Sequence, residues 1–441
     1  MNKKPLLIIK RYRPYSEINE SEGYSMYLSL AIFLIDIGII IIMSHIFLEN
    51  IALALLNSFF FLLFAFALRS YDDDNLESFN ESVVRFYISA FLSFLFVISV
   101  VSIFDFNVSK YNILYLNLLL PIALSVVNTI LFKISLKTTK PKKYLVIGRQ
   151  EELKPILDEI TQKSKGRYVF ADFINPSPVT FRQKVIHYDN VLIGDYELYE
   201  RIKDEIEDDI KLKNVEYLSE LSERVLKRIP IAVAQKFKEY YELEFSKVKE
   251  SPAKRVLDIF GGIFGLILFS PFMLITAIMI LIEDGRPVVF KQLRVGKDGK
   301  YFEFIKLRSL KNDGFDSNNP NGTIEKRLLK IGKVIRSTRI DESLQFWLIL
   351  KGKMSLVGPR PEMIEYHRLY SQQIPFYEYR LKLKPGLTGW AQTNFKHTTT
   401  LEEYMKKTEY DLYYIKNRST LMDLRIILQT IEVIFWRKGA K

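Results

Sequence analysis

Apolar and polar positions divide the chain into three regimes. Between residues 28 and 132 it is almost continuously apolar, in four runs: Leu28–Leu48, Ile51–Leu68, Phe86–Phe104 and Tyr111–Phe132. Each is close to the ~20 residues that cross a bilayer, so each predicts a transmembrane helix. The second run, at 18 residues, is short. Four such runs leave almost no polar face, which disfavours buried helices of a water-soluble domain. Glu49 and Asn50 alone join the first two, predicting a tight helical hairpin. No small-residue cleavage site follows the first run, so it does not read as a removable signal. The tail before it is basic (Lys3, Lys4, Lys10, Arg11, Arg13), and so is the exit from the fourth run (Lys133, Lys137, Lys140, Lys142, Lys143). Both ends of the four-helix unit, residues 28–136, are therefore expected on the cytoplasmic side, with residues 1–27 as a cytoplasmic tail. The acidic run Asp72–Asp74 reads as a solvated loop.

From Lys142 the pattern alternates between strands and helices. Lys143–Gly148 is an apolar strand ending in glycine, and Glu151–Gln162 has helical spacing. Tyr168–Ile174 and Asn190–Ile193 read as further strands, Tyr196–Asp208 and Ser219–Ile229 as helices. This predicts a small parallel, Rossmann-like α/β domain, which with a charged helical connector (Ile231–Glu250) occupies residues 142–250. The remaining glycines of a dinucleotide fingerprint are missing after Gly148, so a structural or oligomerising role is favoured over cofactor binding.

The third regime, residues 251–441, opens with Lys254, Arg255 and Asp258 ahead of an apolar run that ends at Ile282. Both flanks are basic: Lys249, Lys254 and Arg255 before, Arg286, Lys291, Arg294, Lys297 and Lys300 after. That places both ends on one side of the membrane. Ser270-Pro271 supplies a break, since proline removes a helical hydrogen bond and serine bonds a freed carbonyl. A re-entrant helix over 254–282 satisfies both facts. Beyond it come a strand pair around the turn Lys297–Lys300, a Gly/Asn/Pro-rich loop at Asp313–Thr323, and helices at Arg327–Arg336 and Glu342–Leu350. A rigid turn at Gly358–Pro361 and a glycine-rich loop at Lys384–Gln392 follow, then a helix at Glu402–Asn417. A basic amphipathic helix, Met422–Lys438, ends in Trp436, Arg437 and Lys438.

Composition sharpens this. The 441 residues are 48% hydrophobic and 26% charged, as a membrane segment joined to soluble domains would be. The net charge of +12 carries no basic array interleaved with aromatics, so nucleic acid is not an expected partner; anionic lipid and phosphorylated ligands are. No cysteine is present, which excludes thiolate nucleophiles and zinc–thiolate sites. His45, His187, His367 and His397 show no metal-ligand spacing.

The chemistry concentrates in Ile331–Pro361. Asp341 and Glu342 are adjacent, with Arg336, Arg339 and Arg360 near them and Lys306 and Arg308 just upstream. Paired carboxylates in a basic surround suit phosphate chemistry with a divalent ion. The plainer alternative is a solvated helix start. Asp341 is expected near the start of a helix, where the dipole steadies an anion.

These residues carry a resemblance. Lys254–Lys441 resembles the catalytic domain of the bacterial sugar transferases, the monotopic phosphoglycosyl transferases. The matching stretches are Lys254–Pro271, KLRS at Lys306–Ser309, Ile331–Gln345, Lys351–Pro361, KPGLTGWAQ at Lys384–Gln392, and Tyr410–Ile427. Four membrane helices followed by an α/β domain resemble the long subgroup that includes the undecaprenyl-phosphate galactose phosphotransferases. The resemblance implies a re-entrant helix broken at Ser270-Pro271, with Lys254, Arg255 and Asp258 at its entrance. It implies an Asp341–Glu342 catalytic dyad that also binds Mg²⁺. It implies transfer of a sugar phosphate from a UDP-sugar to undecaprenyl phosphate at the cytoplasmic face of the bacterial inner membrane, initiating a surface polysaccharide. Lys306, Arg308, Arg336, Arg360 and Asp411 are the candidate phosphate and nucleotide contacts, and a homodimer is left open. Three departures stand out. The family usually has Pro or Leu at Ser343, Asp at Lys353, and Val-Asn-Gly at Thr393-Asn394-Phe395; the last two bear on which sugar is used. Two other classes compete: a non-catalytic scaffold or regulator, and a transporter or sensor. The intact dyad argues against the first. The few intramembrane ionisable residues, Asp36 and His45 among them, argue against the second.

Overall fold

The computed structural model describes residues 20–104, 106, 108–138, 140–175, 177–311, 328–395 and 399–436. The expected loop at Asp313–Thr323, His397, the basic tail residues Lys3 to Arg13, and Arg437 and Lys438 lie outside these residues. The chain divides into two compact units. One holds the chain up to Gln150 with Leu157–Leu192 and Ile202–Val215; the other holds Glu151–Ile156, Ile193–Arg201 and everything from Glu216.

The first unit opens with α1 (Glu20–Leu48), α2 (Ile51–Ala67), a short α3 (Asp73–Glu77), α4 (Phe79–Phe104) and α5 (Lys110–Thr138). The apolar runs mark the helices but not their ends, because polar turns at Phe79–Arg85 and Lys133–Thr138 continue the helical hydrogen bonding. The hairpin turn has a local cause. Asn50 caps α2, its side-chain oxygen accepting from the Ala52 and Leu53 amides at 3.0 and 3.1 Å. α1, α4 and α5 are long and apolar enough to cross a membrane; α2, at 17 residues, is a shorter apolar helix. Their shared core includes Ile40, Phe61, Phe86, Val97, Leu116 and Leu124. Asp36 is fully buried in it and accepts a 2.7 Å hydrogen bond from Asn128, while His45 is exposed. The acidic run expected as a loop instead opens α3, with Asp72 as its N-cap residue and paired with Arg69 at 3.3 Å.

Next come β1 (Lys142–Ile147), α6 (Gln150–Lys163), β2 (Tyr168–Ile174), α7 (Pro178–Val185), β3 (Asn190–Ile193), α8 (Tyr196–Lys211) and β4 (Asn214–Tyr217). The four strands form one sheet in the order β2-β1-β3-β4, with β1 and β2 parallel.

The second unit carries α9 (Leu218–Leu226), the connector helices α10 (Ile231–Lys236) and α11 (Lys238–Ser246), then the long α12 (Pro252–Asp284). β5 (Val289–Val295) and β6 (Tyr301–Leu307) form an antiparallel hairpin. α13 (Lys330–Ser337), a 3₁₀ turn (Ile340–Glu342) and α14 (Gln345–Leu350) follow, then β7 (Ser355–Val357), α15 (Ile364–Gln373), a second 3₁₀ turn (Tyr377–Lys382) and β8 (Gly386–Thr388). α16 (Trp390–Asn394), α17 (Leu401–Asn417) and α18 (Thr420–Trp436) complete it.

α12 is the fourth helix long and apolar enough to cross a membrane. The expected break does not interrupt it: the helix runs unbroken through Pro271. Pro271 deprives the Ile267 carbonyl of its helical donor, and the Ser270 hydroxyl donates to that same carbonyl at 2.9 Å. Residues 330–350 run back along α12 from its end toward its start. The Lys330 and Ile331 amides donate to Glu283 at 2.6 and 3.3 Å. Ile340 and Leu344 pack against the cluster of Ile280, Leu307 and Leu329, as does Met273. Phe346 stacks on Phe269 at 5.8 Å, and a Cβ on Gly265 would meet its ring at 2.4 Å. Arg255 closes the path by donating to the Ile349 and Leu350 carbonyls at 2.7 and 2.8 Å, capping α14. Elsewhere α12 exposes Phe260, Phe264, Ile267, Phe272 and Ile282.

Candidate active site

The dyad does not stand at the start of a regular helix. Asp341 and Glu342 lie in the 3₁₀ turn, entered through Arg339 in a left-handed conformation (φ 59°), and α14 begins only at Gln345. The Ser343 hydroxyl donates to the Ile340 carbonyl at 2.6 Å and closes the turn. The expected helix dipole is thus replaced by side-chain cations as the source of positive potential.

Both carboxylates are buried, yet their surroundings differ. Glu342 is engaged on both oxygens: Arg360 donates at 2.9 Å and Arg339 at 3.4 Å. Burial alone would raise its pKa, but Arg360 and Arg339 outweigh that and hold it down at about 2. Asp341 accepts no hydrogen bond from the described residues. Burial and then the neighbouring Glu342 charge push it up to about 6, against the pull of Lys306, Arg336 and Arg339. One carboxylate is a fixed anion; the other is a free, desolvated one.

The sequence-predicted cations separate. Lys306, on β6, is held down by burial and supported by Asp341 and Glu342; its ammonium sits 5.3 Å from the Phe290 ring centre. Arg360 ion-pairs with Glu342 directly, and Arg336 is exposed and acts on Asp341. Arg308 is not brought to the dyad. It is buried, pairs with Asp284 at 2.8 Å and donates to the Asp284 and Gly285 carbonyls, fastening the end of α12.

Asp411 stands behind the site. It is buried under Arg380, which donates to it at 2.9 Å and to the Arg360 carbonyl at 3.0 Å. Glu362 joins the network, with Arg380 at 3.7 Å and Lys407 in contact. Asp411 therefore braces the turn that presents Arg360. Close backbone packing fixes the same turn. A Cβ on Gly386 would meet the Gly358 amide nitrogen at 2.1 Å, so the two glycine-rich loops seat against each other.

Lys254 and Asp258 root α12 in this unit. Lys254 donates to the Val357 carbonyl at 2.8 Å and pairs with Asp423 at 3.1 Å. Asp258 accepts from the Ser355 hydroxyl and the Leu356 amide, both at 2.8 Å. The residue that sequence reasoning passed over as a mere flanking charge is Arg294, on β5. The charges of Arg360, Glu362 and Glu342 act on its guanidinium, which donates to the Pro361 carbonyl beside Arg360 at 2.7 Å. The alternation of β5 was the available signal, since it puts Arg294 and Phe290 on one face.

A divalent ion fits this donor set in one way. Among the described residues no group of three or more His, Asp or Glu side chains forms a protein cage. Asp341 offers unengaged carboxylate oxygens beside the charge of Glu342. One or two carboxylates completed by water and substrate phosphate is the coordination Mg²⁺ prefers.

Comparison with known proteins agrees with this geometry. The profile described as "Bacterial sugar transferase" matches residues 249–437. A UDP-N-acetylgalactosamine-undecaprenyl-phosphate N-acetylgalactosaminephosphotransferase of Aeromonas hydrophila is 37% identical over 232 residues, 52% of this chain and 53% of the relative. A UDP-glucose:undecaprenyl-phosphate glucose-1-phosphate transferase of Klebsiella pneumoniae is 41% identical over 192 residues, 42% of this chain and 41% of the relative. The chain thus spans about half the length of these two relatives. An uncharacterized sugar transferase of Bacillus subtilis, EpsL, is 39% identical over 186 residues, 42% of this chain and 89% of the relative. With most of that relative covered and the dyad set among the cations its chemistry requires, the chain belongs to the bacterial sugar transferase family.

Proposed function

We propose that this protein transfers a sugar 1-phosphate from a UDP-sugar to undecaprenyl phosphate, releasing UMP, as the first membrane step of a bacterial surface polysaccharide. The observation that carries the reading is the asymmetric dyad: a free, buried Asp341 beside a Glu342 neutralised by two arginines. The activities of the two relatives, both sugar-phosphate transfers to undecaprenyl phosphate, supply the substrate class.

In this reading an Asp341 carboxylate oxygen attacks the phosphorus that bears the sugar. A bond forms between that oxygen and phosphorus. The bond from phosphorus to the bridging oxygen breaks, and UMP leaves with the electron pair. The product is an aspartyl phosphosugar. A phosphate oxygen of undecaprenyl phosphate then attacks the same phosphorus, and Asp341 departs as carboxylate. Glu342 holds Arg360 and Arg339 in place, and with Lys306 and Arg336 these cations bind phosphate oxygens. Mg²⁺, held by Asp341 with Glu342 beside it, would neutralise diphosphate charge.

The placement of α12 supports a lipid acceptor. Its start is tied to β7 and its end to Arg308 and α13, so both ends belong to the unit that carries the dyad. An unbroken helix tied to that unit at both ends lies along it, and its exposed apolar side chains seat the unit against the membrane, with the dyad at the cytoplasmic headgroups where undecaprenyl phosphate presents its phosphate.

The test is adduct trapping on the full chain with UDP-sugar and Mg²⁺ but no acceptor, beside UMP release with acceptor across a panel of UDP-sugars. Intact mass should gain one sugar phosphate on wild type and none on Asp341→Asn, whose turnover falls by at least ~10³-fold. An adduct that persists in Asp341→Asn overturns the nucleophile. Absence of UMP release with every donor overturns the reaction.

A further inference from the structure

The β5–β6 hairpin turns one face toward the dyad. In its register Phe290 stands opposite Lys306, Gln292 opposite Phe304 and Arg294 opposite Phe302. These six side chains share a face, and two of them are cations.

Arg294 is held rigidly. Its guanidinium lies 4.4 Å from the Phe304 ring centre. Nη1 donates to the Pro361 carbonyl at 2.7 Å, while Nε and Nη2 donate to Gln292 Oε1 at 3.2 and 3.1 Å. A guanidinium has five N–H groups, so one on each terminal nitrogen has no described partner. Its two acceptors, the Pro361 carbonyl and Gln292 Oε1, are neutral. The charges that reach it are Arg360, Glu362 and Glu342, and Glu362 is already taken by Lys407 and Arg380. Burial and then Arg360 pull Arg294 down to about 10, the mark of a cation short of anions. Around the dyad, the five cations Arg294, Lys306, Arg336, Arg339 and Arg360 are set against Asp341 and Glu342, with a third carboxylate, Glu362, shared with Lys407 and Arg380. The excess is positive.

We propose that Arg294 is a donor-diphosphate contact, its two remaining N–H groups holding diphosphate oxygens beside Arg360, so that the site selects a nucleoside-diphosphate sugar over a nucleoside monophosphate. This rests on the donor reading above. A planar fork, oriented by Gln292 and stacked on Phe304, suits two phosphate oxygens at once, whereas a lysine supplies only a point charge. The competing role is a strut that only braces the turn at Pro361.

The experiment uses the full-length chain in nanodiscs, with Arg294→Gln and Arg294→Lys. It reads UDP and UMP affinity by equilibrium dialysis, KM for donor and for acceptor, and the melting temperature. Arg294→Gln should weaken UDP binding and raise donor KM by about tenfold or more, with acceptor KM and UMP affinity nearly unchanged. Arg294→Lys should recover part of the loss. Unchanged UDP affinity and donor KM overturn the proposal. So does a loss shared equally by donor and acceptor alongside a lowered melting temperature, which is the signature of a strut. Should Arg294→Gln fail to fold, the same comparison on Arg294→Lys decides. UDP binding by wild type with no effect of either variant sinks this contact alone, whereas wild type that neither binds UDP nor releases UMP sinks the donor reading with it.

Discussion

Two adjacent carboxylates acquire different chemistry from their neighbours alone. Glu342 meets two guanidiniums and stays ionised, while Asp341 meets cations only across space and is pushed up to about 6. Such splitting of an acid pair is how a site assigns separate roles to like groups. A consequence is testable in the pH dependence of kcat/KM, which reports the free enzyme. In the proposed reaction Asp341 attacks only as carboxylate, so activity should climb as pH rises through about 6 and level off above it. Of the surrounding cations Lys306 does most to lower Asp341, so removing its charge raises the Asp341 pKa further. In Lys306→Met the rising limb should therefore move to higher pH, while Arg308→Gln should leave the limb in place. A limb that stays put in Lys306→Met would separate Lys306 from the dyad. The dyad and Arg360 were legible in sequence because acids beside arginines are conspicuous there. The parting of Arg308 from Lys306 was not. Two residues apart on one extended segment, both read as basic, and only three-dimensional packing gives Arg308 to Asp284.

At the scale of elements, long periodic segments were readable and short ones were not. Leu401–Asn417 carries both apolar spacing and a capping box from Thr400 and Glu403, so its limits follow from local chemistry. β7 and β8 have three residues each, too few for any alternation to show, and they pair in parallel across 30 residues of chain. The turn holding Asp341 also escaped prediction. Its geometry depends on Arg339 at positive φ, which a non-glycine residue adopts only when packing compels it. Yet β7 and β8 position Arg360 through the contact between Gly358 and Gly386. A methyl on Gly386 would fall 2.1 Å from the Gly358 nitrogen and 2.2 Å from the Thr388 carbonyl oxygen, both rigid backbone. Gly386→Ala should cost at least ~2 kcal/mol of stability and depress turnover by displacing Arg360. Thermal melting and UMP release on the purified chain check this, and a variant that melts and turns over like wild type would show that the loops part without consequence.

For the whole molecule, the informative boundary is where the catalytic unit begins. The family match starts at residue 249, and sequence pattern places the domain edge at 251, because the helices before it read as a charged connector. The compact unit instead takes in everything from Glu216. Charged residues of α9 and of the turn after it are buried against α17. Arg228 pairs with Glu409, and the Ile231 amide donates to the same carboxylate at 2.9 Å. Glu223 accepts from Lys416 at 2.6 Å, from Asn417 at 3.1 Å and from Tyr241 at 2.9 Å. The Trp390 indole donates to the Lys227 carbonyl, and Phe245 packs on Tyr379 at 4.8 Å. Amphipathic helices with many charges look solvated in sequence, and only the partners on α17, some 180 residues away, show otherwise. A chain starting at Ser251 loses the Arg228 pair with Glu409 and uncovers the face of α17 that residues 216–250 bury. Asp411 lies two residues beyond Glu409 on α17 and braces Arg380 and, through it, Arg360. A chain starting at Glu216 keeps every one of these contacts. The Glu216 chain keeps Lys236 but loses its partners Glu152 and Asp195, and the truncation opens that lysine to water. In nanodiscs the Glu216 chain should melt well above the Ser251 chain and release UMP within about threefold of full length, a loss below 1 kcal/mol of barrier. The Ser251 chain should be the poorer enzyme even per folded molecule, since the brace behind Arg360 loosens. Equal melting and equal turnover of the two would show that the connector adds nothing to the site.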